Sequence, residues 1–91
     1  MNSLRNIQFE PKAFEEFIEW AAEDKKIFFK IAELVEEIRR HPFEGKGKPE
    51  PLKHGLKGFF SRRITDKHRV VYSVKEDTIT FIAFKHHYGD K

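Results

Sequence analysis

The chain reads as an α+β fold, with two N-terminal helices packed on a small, mainly antiparallel β-sheet. Three observations lead there. Apolar residues recur at helical spacing up to about residue 41, and they fall into period-two runs from residue 59 onward. The stretch between them, 42–58, is punctuated too heavily for either pattern. Ninety-one residues, 38% apolar and with ten phenylalanines, are expected to form one domain, 1–91, with a single core that needs no staples.

The elements follow in order. Asn6 to Phe9 is a short extended segment with Ile7 and Phe9 on one face. Pro11 suits a first helical turn, where its missing N–H costs nothing. Phe14, Phe17, Ile18 and Ala21 form the inward stripe of this first helix, and Glu15, Glu16 and Glu19 are expected to face water. Asp24 caps a second helix whose stripe is Ile27, Ile31, Leu34, Val35 and Ile38. Arg39 and Arg40 suit its negative end, and Pro42 stops it. Phe14 and Ile31 are therefore expected core residues. The stretch 42–54 holds three prolines, two glycines and three lysines and is expected to form no regular element. Strands are expected over about 59–65, 68–74 and 78–88, joined by short turns as an antiparallel meander. In the last strand Ile82 and Phe84 should alternate with Phe81, Ala83, Lys85 and His87.

Charge is unevenly spread. The chain has 18 Lys/Arg against 15 Asp/Glu, a net of +3. Residues 1–40 carry seven basic and nine acidic side chains, whereas residues 41–91 carry eleven and six. The second half thus has the footprint of a phosphate-binding surface. Arg62, Arg63 and Arg69 lie within strand patterns, and guanidinium suits phosphate oxygens. The absence of cysteine excludes disulfides and thiolate chemistry and points to an intracellular setting, expected to be cytoplasmic. No apolar run approaches the roughly 18 residues of a membrane span.

Several chemistries find no support in the motifs. There is no Ser-His-Asp set, and the glycines at 45 and 47 open no helix, so a phosphate-binding P-loop is not formed. His86 and His87 are adjacent in a strand and so diverge, which is poor geometry for one metal ion. Neither metal nor cofactor is expected. Acid–base cleavage of RNA fits better. Glu50, held between Pro49 and Pro51, can act as a base. Arg69 and Lys53 can neutralise a phosphate, His87 can act as the acid, and Tyr88 can stack or donate. Lys46 and Lys48 lie just before the base as substrate-binding cations.

The run Pro42-Phe43-Glu44-Gly45-Lys46-Gly47-Lys48-Pro49-Glu50-Pro51-Leu52-Lys53-His54 resembles the YoeB toxins of the RelE/ParE superfamily. So do Gly58-Phe59, Ser61-Arg62-Arg63-Ile64, His68-Arg69, Val71-Tyr72 and His87-Tyr88. The likeness spans nearly the whole chain. It implies a RelE-like, microbial-RNase-like architecture and the toxin of a type II toxin–antitoxin system that cleaves mRNA in the ribosomal A site. It also implies catalytic roles at Glu50, Lys53, Arg69, His87 and Tyr88, with Arg63 beside the substrate. The implied partners are a YefM/Phd-type antitoxin, the 70S ribosome with its mRNA, operator DNA through the antitoxin complex, and a homodimer. Two other readings remain open here: a ParE-like toxin with another target such as gyrase, and a non-catalytic nucleic-acid-binding module.

Overall fold

The computed structural model describes residues 4–52 and 58–87. Seven elements run β1 (Asn6–Phe9), α1 (Pro11–Glu23), α2 (Lys25–Arg40), β2 (Glu50–Pro51), β3 (Phe59–Arg63), β4 (His68–Lys75) and β5 (Thr78–His87). One sheet has the order β1-β5-β4-β3-β2. The β3-β4-β5 meander and β2 are antiparallel, and β1 joins β5 in parallel at the far edge. The α+β architecture is thus as the sequence predicts.

The helix signals act where expected. Pro11 opens α1, and the Asp24 carboxylate accepts from the Ile27 amide at 3.2 Å to cap α2. The core lies between the helices and the sheet. Ile31, Leu34, Val35 and Ile38 of α2 meet Ile64, Val70, Tyr72, Ile79, Phe81 and Phe84. Phe9, Phe17, Phe81 and Phe84 form a ring cluster with centroids 5.2–5.6 Å apart across Phe9–Phe81, Phe9–Phe84, Phe17–Phe84 and Phe81–Phe84.

Three expectations need correction. Phe14 and Ile18 are 54% and 50% exposed, and α1 turns Ala13, Glu16 and Trp20 inward instead. The cause is the free edge of β5 beyond Phe81, where the β1 pairing ends. The Glu16 carboxylate accepts from the amides of Phe84 and Lys85 at 2.7 and 3.1 Å, and the Trp20 indole donates to the Phe84 carbonyl at 2.8 Å. Satisfying that backbone outweighs burying two more apolar side chains. Second, the simple alternation expected in β5 fails, because Phe81 and Phe84 are both fully buried. Tyr72 pairs with Phe81 and Val71 with Ala83, so a bulge resets the parity. Third, the 42–54 stretch does contain a regular element, since Glu50 and Pro51 pair with Ser61 and Phe60 of β3. A proline is compatible with this position because β2 is the sheet edge.

Candidate active site

The site is built on a loop moulded around Arg62. This arginine, expected on the phosphate-binding surface, is instead fully buried on the helix side of the sheet. Its guanidinium donates to the carbonyls of Glu44 at 2.8 Å, Lys46 at 3.0 Å and His41, and its Nε to the Tyr72 hydroxyl at 3.2 Å. Tyr72 in turn donates to the Pro42 carbonyl at 2.6 Å. Burial pushes the Tyr72 pKa up, and the bond from Arg62 opposes that shift. Four carbonyls of residues 41–46 are thereby tied down without any regular structure. Gly47 completes the mould. Its φ is +80, its carbonyl accepts from the Arg63 amide at 2.9 Å, and a Cβ would sit 3.0 Å from both Arg62 Cβ and the Arg63 carbonyl oxygen.

This anchoring delivers Glu50 to the edge of the sheet beside Ser61, and Arg69 lies across β3 on the same open face. Arg69 Nη2 stands 3.2 Å from Glu50 Oε1, and Arg69 Nε donates to Ser61 Oγ at 2.9 Å. The arginine side chain is 5% exposed and the glutamate 60%. A buried guanidinium needs compensation, and here an exposed carboxylate and a buried hydroxyl supply part of it. A cleft of about 220 Å³ is lined by Gly47, Lys48, Glu50, Arg63 and Arg69. Three cations and one carboxylate therefore face one small concavity. Lys48 holds a left-handed φ of 51, a strained backbone for a side chain with a Cβ.

At the end of the sheet the histidines gather differently from the simple expectation. The register sets His86 across from Arg69 and His87 across from His68. The His68 and His87 rings are 5.4 Å apart, and the Trp20 ring meets His68 edge-on at 5.0 Å. Burial lowers the His68 pKa below its ordinary 6.5, and His87, Lys85 and Lys67 lower it further. Thr65 Oγ1 already accepts from the amides of Lys67 and His68, so its own hydrogen is best given to His68 Nδ1 at 3.2 Å. That fixes His68 as the Nε2–H tautomer.

Of the residues singled out in the sequence, Glu50, Arg63, Arg69 and Lys48 share one cleft. Lys46 lines a neighbouring cleft. His87 lies at the end of β5 against His68, while its neighbour His86 stands opposite Arg69. Lys53 and Tyr88 lie outside the described residues. Ser61 and His68 were missed. Ser61 could have been found from parity, because it lies two positions from Arg63 in the same strand and so on the same face. His68 precedes Arg69 directly, but nothing in the sequence pairs it with the other end of the chain.

A carboxylate in this position can accept a proton, and the guanidinium and further cations beside it can stabilise charge on a phosphate. Among the described residues no group of three or more His, Asp or Glu side chains is placed to hold a metal ion, and no helix is long and apolar enough to cross a membrane.

Comparison with known proteins identifies the family. Residues 9–88 match the family described as YoeB-like toxin of bacterial type II toxin-antitoxin system. Toxin YoeB of Escherichia coli K12 is 52% identical over 77 residues, covering 85% of this chain and 92% of that protein. The YoeB dimer of Staphylococcus aureus superposes with a TM-score of 0.87 at 45% identity, covering 93% of this chain and 99% of that one. YoeB in a heterotetrameric YoeB–YefM complex from the same organism gives 0.82 at 46% identity over 92% and 98%. The chain belongs to the YoeB family of type II toxin–antitoxin toxins.

Proposed function

We propose that this toxin is a metal-independent, ribosome-dependent mRNA endonuclease that cuts mRNA in the ribosomal A site and so halts translation in the cytoplasm. The observation that carries the reading is the Glu50–Arg69 pair, 3.2 Å apart, in a cleft with Arg63 and Lys48. Glu50 takes the proton of the 2′-hydroxyl, and the 2′-oxygen attacks the adjacent phosphorus. As Glu50 loses its charge, the developing phosphorane replaces it as the counter-charge of Arg69. The P–O5′ bond breaks, and the leaving oxygen takes its proton from His87. The products are a 2′,3′-cyclic phosphate and a free 5′-hydroxyl, and atoms and charge balance without a metal. Lys53 and Tyr88 complete the reading as phosphate and base contacts, with Lys46, Lys48 and Arg63 along the strand. A YefM/Phd-type antitoxin neutralises the toxin and carries it to operator DNA, and a homodimer is the other assembly. The named complexes and dimer of the Staphylococcus aureus relatives support those two partners.

One observation favours a variant of the acid step. The register places His86, rather than His87, opposite Arg69. Primer extension on an mRNA in a purified translation system separates these readings. Wild type should give a break only with ribosomes. Glu50→Gln and His87→Gln should lower cleavage by about 10²–10⁴-fold, with unchanged circular dichroism. Loss in His86→Gln with His87→Gln retained would transfer the acid to His86. Translation arrest without a break would replace cleavage by occupancy of the A site.

A further inference from the structure

A second cleft opens beside the first. It measures about 390 Å³ and is lined by Lys30, Glu33 and Leu34 of α2 with Lys46, Gly47 and Arg63. The Glu50–Arg69 cleft shares Gly47 and Arg63 with it, so the two meet at that point. Gly47 keeps the junction free of a side chain while its backbone is pinned to β3. Arg69 on β4 and Arg63 paired beside it on β3 line the first cleft, and Arg63 lines the second together with Lys46 and Lys30. Neighbouring strands lie about 4.8 Å apart, so the two arginine positions are close. Lys30 is held at the rim because its ammonium donates to the Ile64 carbonyl. An ammonium has three donors, and this carbonyl needs one of them. The second cleft thus presents three cations and one carboxylate over the buried Leu34. Lys30 belongs to the half of the chain in which acidic residues outnumber basic ones, so a general basic character does not explain its position.

We propose that this second cleft is a subsite for a further RNA phosphodiester, beyond the one engaged at Arg69, and that Lys30 is its principal recognition residue. The choice of RNA as ligand rests on the cleavage reading above. The phosphodiester belongs either to the mRNA or to ribosomal RNA, and the two sources share the same chemistry. Glu33 opposes the bound charge and keeps the site weak in the absence of the correct partner.

The test measures binding of the full chain to a 12-nucleotide single-stranded RNA blocked by 2′-O-methylation, by fluorescence anisotropy over a salt series. Lys30→Gln should weaken binding about threefold to tenfold and reduce the log–log salt slope by about 0.7, the contribution of one phosphate on a single strand. Lys30→Arg should restore both. Glu33→Gln should act in the opposite direction and tighten binding. Lys12→Gln, on the exposed face of α1, should change little. If the phosphodiester is ribosomal, the 12-mer is unaffected and the same pattern appears in co-sedimentation with empty 70S ribosomes. No effect of Lys30→Gln in either assay, or an equal effect of Lys12→Gln, overturns the subsite. The two proposals fail separately. Wild-type cleavage without a Lys30 effect removes the subsite alone, whereas the charge pattern without any ribosome-dependent break removes the cleavage reading alone.

Discussion

Arg62 and Arg69 lie on neighbouring strands and are both almost wholly buried, at 0% and 4% exposure, yet they serve opposite faces of the sheet. Arg62 spends its donors on main-chain carbonyls of residues 41–46 and on Tyr72. Arg69 spends its donors on a side-chain hydroxyl and on an exposed carboxylate at the cleft. The difference follows from pleat and register. Arg62 pairs with Val70 and shares the core side, whereas Arg69 pairs with Arg63 on the open side. Arg62 is held by fixed neutral acceptors, whereas Arg69 meets an exposed carboxylate, the arrangement that the proposed change of counter-charge requires.

That contrast breaks if the two arginines respond alike to truncation. Arg62→Met should cost about 3–5 kcal/mol in urea denaturation, because it leaves several carbonyls and a tyrosine hydroxyl without a donor. Arg69→Met should cost only about 1–2 kcal/mol, since Glu50 can turn to water, while cleavage is lost. Equal destabilisation by the two would place Arg69 among the structural residues.

The same logic sharpens on the helices. Ile31 is completely buried between α2 and the sheet, and Ile31→Ala should cost about 2–5 kcal/mol. Phe14→Ala should cost less than about 1 kcal/mol, because the ring is half exposed and stands roughly perpendicular to Phe9 at a centroid distance of 6.3 Å. A midpoint shift for Phe14→Ala as large as that for Ile31→Ala would show that α1 packs on its predicted stripe after all.

How far the sequence is legible follows from which interactions are local. Helix limits, the Asp24 cap and the meander rest on spacing within a few residues, and these are as read. The inward turn of Glu16 depends on an unpaired strand edge 68 residues away. The burial of Arg62 depends on carbonyls of a loop with no periodic pattern. The bulge that buries both Phe81 and Phe84 is invisible to strict alternation. At the site, Glu50, Arg63 and Arg69 could be singled out from residue type and parity. Their assembly with Ser61, and the placing of His86 and His87 against different partners, needed the register of β4 and β5. Lys30 carries no signal of its own in the sequence, because its partner across the cleft, the Ile64 carbonyl, lies 34 residues away.

The smallest expected effect concerns the histidine end of the sheet, where His68 contrasts with the arginines because folding disfavours its charged form. Among the described residues the groups around it are Trp20, Thr65, His87, Lys85, Lys67 and Glu23, and of the charged ones only Glu23 favours the charged ring. Its pKa is lowered on folding, chiefly by burial, so the unfolded chain takes up the proton first as pH falls. The stabilisation is therefore fully present above about 6.5 and is lost as pH falls from there through the lower folded value. Urea midpoints measured from pH 8 to 5 should decline in wild type, and His68→Asn should show a shallower decline over the same range. Protonation would also abolish the acceptor at Nδ1 that faces the Thr65 hydroxyl, loosening the turn that leads into β4. A variant whose midpoint falls as steeply as wild type would show that His68 is not the group behind the decline.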